Sequence, residues 1–371
     1  MKRLGVKMKL FKIYLFVLIL LNSLQAKEKI FIVEREDSSL AIVSKDSKKS
    51  TIKNMKNMNH GVVKFKDKDG YVISRDGYII KFDPILEKIT ATYKTSKSAI
   101  GFVVAKYYVA VANYDDKSVD ILTRDLKPIK KIFTDSKNVG IKIYNNYLIF
   151  SQMNKDTISI YKDLNLGEKE PDFKLFKEFK EVGELPFDAM IKDEKYIVGF
   201  FNSKHFGVVD LKKMEFQKVK IFLDENRQMV LKVPHFGFWS IGGDKVFVPA
   251  VGDKKVLVYD NNFKFIKNIK TKGLPVFTSL SPKKDFLAVT YSGKDFPIIE
   301  IIDTKTLKII KSFTFDGKVL HLRWSEEKPK LYVSINDSNK VAVINTKKWI
   351  VQKEILDIKK PSGIFIYKRS E

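Results

Sequence analysis

The sequence predicts an all-β chain folded as an eight-bladed β-propeller of four-stranded antiparallel blades, and three observations carry that prediction. A unit of apolar strand, polar turn, alternating strand and β-branched strand recurs eight times. The recurrences are spaced by roughly 40 to 50 residues, the length that a four-stranded blade requires. No segment shows a sustained helical period.

In order, the units are FIVEREDSSLAIVSKDSKKSTI, YVISRDGYIIKFDPILEKITATY, VAVANYDDKSVDILTRDLKPIKKIF, LIFSQMNKDTISIYKDLNLGEK, IVGFFNSKHFGVVDLKKMEFQKVKI, VFVPAVGDKKVLVYDNNFKFIKNI, LAVTYSGKDFPIIEIIDTKTLKIIKSF and LYVSINDSNKVAVINTKKWIVQKEIL. Aligned on Asp83, the equivalent positions are Ser44, Asp83, Thr123, Lys162, Asp210, Asp260, Asp303 and Asn345. The β-branched content and the turn pairs DG, NN and ND favour strands joined by tight turns. A propeller leaves only short protected edges, so its ring must close. The closing strand is expected at Gly363–Tyr367, GIFIY, beside the N-terminal strand KIFIV. The fourth unit has weak turn signals and Glu168–Glu184 is irregular, so seven blades plus an incomplete unit is the competing count.

The N-terminus reads as an export signal. MKRLGVKMKLFK carries basic residues and no acid, the apolar run IYLFVLILL follows, and NSLQA supplies a small-residue exit. Cleavage after Ala26 would leave residues 27–371 as a single propeller domain. The apolar run is short for a membrane span, so none is expected after cleavage, and an uncleaved anchor is the alternative. The chain has no cysteine. That excludes a disulfide framework, a thiolate metal site, a lipid-anchored N-terminal cysteine and the CxxCH of a covalent c-type heme. A chain of this length can bury a sufficient core without disulfides.

The formal net charge is +25. It favours acidic partners through long-range attraction, although lysines spread over loops and strand exteriors explain it equally. Nucleic acid is not an expected partner of an exported chain. Arginine is scarce: beyond the leader there are Arg35, Arg75, Arg124, Arg227, Arg323 and Arg369. In so lysine-rich a chain, arginine marks positions where a rigid bidentate fork is useful.

Propellers place functional groups on the turns around the central channel, where several blades contribute to one ligand. The available nitrogen ligands are His60, His205, His235 and His321. His60 lies in NMNHGVVKF just before an apolar strand, where an imidazole could ligate iron or simply serve as a polar turn residue. His235 lies in KVPHFGFWSIGG, a constrained loop that also contains Trp239. His321 and Arg323 alternate in VLHLRW and so share one strand face, which suits an acidic ligand. His205 reads as a turn residue. No HExxH, GxSxG, P-loop or dinucleotide fingerprint is present, so the common hydrolase and dehydrogenase readings have no motif behind them. The 28 Phe, 15 Tyr and 3 Trp offer flat apolar surface for a planar ligand as well as for packing between blades.

Several stretches carry a family resemblance: NHGVVKFKDKDGYVISRDGYIIKFD, VANYDDKSVDI, LPFDAMI, VPHFGFWSIGGDKVFVPAVGDKKVLVYD, GLPVFTSLSP, KVLHLRW and KKPSGIFIY. In this order they resemble the NirF-type heme d1 biosynthesis proteins, over essentially the whole mature chain. Relatives include the d1-binding half of cytochrome cd1 nitrite reductase and the NirN-type proteins. Both of those also carry a c-type cytochrome, which this cysteine-free chain cannot.

The resemblance implies an eight-bladed propeller, a periplasmic location and binding of heme d1 or a late d1 precursor, with a role in its final maturation or delivery for dissimilatory nitrite reductase. It implies His60 as axial iron ligand and puts His235, Trp239 and His321 at recurring positions around the tetrapyrrole. Arg75, in SRDG, would clamp a carboxylate of the macrocycle through a charge-assisted contact. Asp188, in PFDAMI, together with His60, would serve any catalytic step, as a proton carrier. Cytochrome cd1 nitrite reductase and NirN-type proteins are the implied protein partners. The alternative from a different class is a non-catalytic platform for acidic proteins or polymers.

Overall fold

A computed structural model describes residues 28–165, 170–221, 239–250 and 252–368. The expected leader with its cleavage after Ala26, and His235, lie outside the described residues. Eight four-stranded antiparallel sheets form the eight blades of a propeller. The competing count of seven is thereby excluded.

The innermost strands, in ring order, are Pro361–Tyr367, Val62–Lys66, Ala99–Val104, Asn138–Tyr144, Pro186–Lys192, Ser240–Gly242, Leu274–Leu280 and Val319–Trp324. We number the blades 1 to 8 in that order. Each chain segment runs outward through its blade and returns to the next innermost strand. All innermost strands therefore run in one direction, from an entry mouth to an exit mouth of the channel. Blade 1 is the exception in connectivity, because its innermost strand comes from the C-terminus and pairs with Lys29–Glu34, Phe31 opposite Phe365 and Ile32 opposite Ile364. The ring closes as the sequence predicts.

Burial explains the sequence pattern. The middle strands are covered on both faces by neighbouring blades and read as unbroken apolar runs, as in YVAVAN of Tyr108–Asn113, where every residue is buried. Outermost strands such as KITATYK alternate exposed and partly buried positions. Their lysines blunt edges that would otherwise pair with another chain. Apolar clusters run through the blades and the seams between them; one joins Phe31, Val33 and Leu40 of blade 1 to Val63, Val72 and Phe82 of blade 2.

The recurrent Asp or Asn is a turn device. Asp83, Asp210, Asp260, Asp303 and Asn345 each end a third strand and accept a hydrogen bond from the backbone N–H two residues on, at 2.7–3.1 Å. In blade 4 the position is displaced by one. The strand Thr157–Asp163 has seven residues, and Asp163, not Lys162, accepts from Asn165 at 3.0 Å. The irregular stretch after it contains a regular outermost strand, Phe173–Phe179.

Candidate functional site at the channel mouth

At the entry mouth, the connector from blade 1 to blade 2 carries His60. Two buried methionines, Met55 and Met58, anchor it in the seam between those blades. The N–H of Met55 donates to the Ser38 carbonyl at 2.9 Å, and Asn57 Oδ1 accepts from the Asn59 N–H at 3.0 Å. A turn then closes from the Gly61 N–H to the Met58 carbonyl at 2.9 Å, with His60 at φ +65°. Left-handed backbone is costly for a residue with a Cβ, and histidine tolerates it better than most. The turn leaves the His60 side chain exposed, and its ring has no hydrogen-bond partner among the described residues.

Two arginines flank that imidazole, each from the turn after a blade's second strand. Arg75 is tied to the connector by its backbone, whose N–H donates to the Asn57 carbonyl at 2.8 Å while Asp76 Oδ1 accepts from the Asn57 N–H at 3.2 Å. Arg35, in blade 1, is fixed by its N–H to the Lys360 carbonyl at 3.3 Å. Neither guanidinium has a carboxylate or hydrogen-bond partner among the described residues. The Arg35 Nε is buried as well as unpartnered. A buried donor without an acceptor is unfavourable until something supplies one. Burial lowers the Arg35 pKa. Partial desolvation of the ring first, then the charges of Arg35 and Arg75, lower the His60 pKa from the ordinary imidazole value. A neutral imidazole is the form that ligates a metal.

Across the same mouth, blades 3 to 5 present an apolar surface. Ile100, Tyr114, Leu185 and Phe201 are partly exposed and pack on buried Val139, Met153 and Phe187. Phe187 and Phe201 meet at 4.9 Å between ring centroids, and the Tyr114 hydroxyl contacts Met153 Sδ at 3.6 Å. The mouth thus has a cationic side and an aromatic side. A flat apolar ligand with acidic substituents matches both.

The other expected residues have contacts of their own. His321 and Arg323 do share a face, as alternation requires, and both reach Ile364 of blade 1: His321 Nδ1 accepts its N–H at 3.2 Å and Arg323 Nε donates to its carbonyl at 3.1 Å. This bond puts the proton of a neutral His321 on Nε2. Its ring packs against Phe277 and Phe365 at 4.7 and 5.9 Å. Burial holds its pKa well below the ordinary value, with Arg323 adding to the effect. Trp239 is buried between blades 5 and 6, edge-on to Phe206 at 5.2 Å. Asp188 stands inside the channel, 3.6 Å from Lys142 Nζ, and is not among the charges that act on His60. His205 opens a strand and bonds the Val182 carbonyl through Nε2 at 2.9 Å, a packing role.

Sequence reasoning brought His60 and Arg75 to one mouth but missed Arg35 and the apolar side formed by Ile100, Tyr114, Leu185 and Phe201. The scarcity of arginine was the available signal for Arg35. The apolar side has none, because its members come from three blades and from no common motif.

The family model of the cytochrome D1 heme domain matches residues 25–370. Protein NirF of Stutzerimonas stutzeri is 28% identical over 364 residues, covering 91% of both chains. Protein NirF of Pseudomonas aeruginosa is 26% identical over 363 residues, covering 92% of this chain and 91% of its own. Among solved structures, dihydro-heme d1 dehydrogenase NirN in complex with DHE aligns with a TM-score of 0.75 at 17% identity, over 91% of this chain and 74% of that one. Apo AztD from Citrobacter koseri aligns with a TM-score of 0.64 at 15% identity, over 92% and 98%. At such identities the two structures speak for the fold. With a match that spans the propeller from end to end, this chain belongs to the cytochrome D1 heme domain family.

Proposed function

We propose that the entry mouth binds heme d1 or a late d1 precursor, and that the protein serves the final maturation or delivery of that tetrapyrrole in the periplasm after export by its N-terminal segment. The observation that carries this reading is the grouping of Arg35, His60 and Arg75, whose side chains have no partner among the described residues, opposite the aromatic surface of Tyr114 and Phe201. Similarity to two NirF proteins over nine-tenths of both chains supports it. The residues fit the group on their own chemistry. His60 would hold the iron, Arg75 and Arg35 would bind macrocycle carboxylates, and the apolar side would cover one edge of the ring. When bound, the iron tetrapyrrole would supply the redox chemistry that this chain's own side chains lack. No nucleotide fingerprint offers a second redox partner.

Titration of the mature protein with an iron d1-type tetrapyrrole, followed by mass spectrometry of the recovered ligand, tests the reading. Replacing Arg35 and Arg75 by alanine should weaken binding by about ten- to hundredfold for each charge-assisted hydrogen bond removed. Equal affinity would contradict the assignment of this mouth. A changed ligand mass assigns catalysis, and an unchanged mass assigns carriage.

A further inference from the structure

The channel contains a second group of charges that the entry mouth does not use. An open concavity of about 460 Å³ in the channel wall is lined by Lys64, Val103, Val104, Lys142, Ile143, Met190 and Ile191. These residues come from four consecutive innermost strands, those of blades 2 to 5. Val103 and Val104 end their strand, and Lys142, Ile143 and Ile191 lie in the last half of theirs. The cavity therefore belongs to the exit mouth, opposite His60.

Its charges do not cancel. Lys142 Nζ lies 3.6 Å from Asp188 Oδ1, which accounts for one ammonium and one carboxylate. Lys64 has no carboxylate partner among the described residues. It donates to the Phe102 carbonyl and lies over the Phe102 ring, 4.8 Å from the centroid. Burial, reinforced by Lys142, pushes Lys64 down to about 7, whereas Asp188 acts in the opposite sense. Asp188 is the carboxylate that acts on both lysines, so one anion faces two ammonium groups. One further negative charge would complete the set, and the rest of the lining is aliphatic or thioether.

We propose that the exit-mouth cavity is a binding site for a small aliphatic monocarboxylate, its carboxylate on Lys64 and Lys142 and its chain against Val103, Val104, Ile143 and Met190. The charge count selects a monoanion, and the apolar lining selects an alkyl chain over a polar one. The site is independent of the tetrapyrrole reading, because no residue of the entry mouth lines it.

Calorimetric titration of the mature protein with acetate, butyrate and hexanoate provides the test. Affinity should rise by up to about fourfold for each methylene the cavity buries. Lys64→Met should weaken hexanoate by about ten- to hundredfold. Asp188→Asn, which releases Lys142 from its carboxylate, should tighten it, and a gain of binding requires a folded protein. The Arg35→Ala/Arg75→Ala variant should bind hexanoate as the wild type does. Failure to bind hexanoate, binding that ignores chain length, or weakening by Asp188→Asn would each overturn the proposal. So would loss of binding in the entry-mouth variant with Lys64→Met unaffected. None of these results bears on tetrapyrrole binding, which is read separately from the visible spectrum.

Discussion

Arg124 and the pair Arg35 and Arg75 are the same residue type at opposite ends of one propeller, and their surroundings differ completely. Arg124, near the exit end, donates through Nε to the Tyr71 hydroxyl at 2.9 Å. Its two terminal nitrogens reach Asp67, Asp69 and the carbonyls of Lys66, Ala105 and Lys106, all at 3.2 Å. That guanidinium fastens blade 2 to blade 3. Arg35 and Arg75, at the entry mouth, have no partner of this kind among the described residues. An arginine saturated by its own chain is structural, whereas one held in place by its backbone with an idle side chain is prepared for something outside the chain. Scarcity of arginine alone does not separate the two cases. The partners do.

The largest effect should come from breaking the saturated end. Arg124→Ala removes the donor to Asp67, the Tyr71 hydroxyl and three carbonyls, leaves Asp69 its ion pair with Lys81, and should destabilise the fold by about 2–4 kcal/mol in urea unfolding. Tetrapyrrole affinity, measured on the protein that remains folded, should be unchanged. The opposite result is expected at the entry mouth, where Arg75→Ala should change stability by no more than about 0.5 kcal/mol and Arg35→Ala, which removes a buried donor without an acceptor, should not destabilise the fold, while both weaken the ligand. A stability loss there comparable to that of Arg124 would erase the contrast.

Between the two ends, His321 links stability to pH. Its folded pKa is depressed, so the unfolded chain takes up a proton that the fold resists once pH falls below the ordinary value of 6.5. Its contribution is therefore intact above that value and is lost progressively on acidification, at up to about 1.4 kcal/mol per pH unit. In urea titrations between neutral and mildly acidic pH, His321→Gln should flatten that slope. An unchanged slope would remove His321 as its source.

The smallest effect sharpens the comparison at His60 itself. With φ at +65°, the residue sits where glycine is at ease. His60→Gly should stabilise the apo protein by about 1 kcal/mol, read as a higher urea midpoint. A site whose replacement improves the fold but removes ligand binding is kept for the ligand.

Most of the fold was legible because a propeller repeats its local solutions. The Asp or Asn at Asp83, Asp210, Asp260, Asp303 and Asn345 recurs because each of these third strands ends in the same turn, and GIFIY could be matched to KIFIV because ring closure demands a partner. Lys162 keeps the expected register, pairing with Tyr147 as Asp210 pairs with Lys195, and the turn acid of blade 4 falls one residue later at Asp163 because that strand is one residue longer. The site was legible only in part. His60 and Arg75 stand in recognisable local strings. Arg35 becomes a neighbour of His60 only when the turns of blades 1 and 2 are brought to one mouth. Lys64, in VVKFK, has the appearance of a solvent-facing lysine, and only the curvature of the ring turns it into the channel beside Lys142. Trp239 is buried edge-on to Phe206 in the seam between blades 5 and 6, a packing environment that its local string does not reveal.

The central claim is that the unpartnered imidazole at the entry mouth takes an iron ligand. The direct test is the visible spectrum of the mature protein on addition of an iron d1-type tetrapyrrole, compared between wild type and His60→Ala. The wild type should shift the absorption bands of the added ligand to those of a nitrogen-ligated form, and His60→Ala, folded to the same extent, should not. Identical spectra for the two proteins would contradict it.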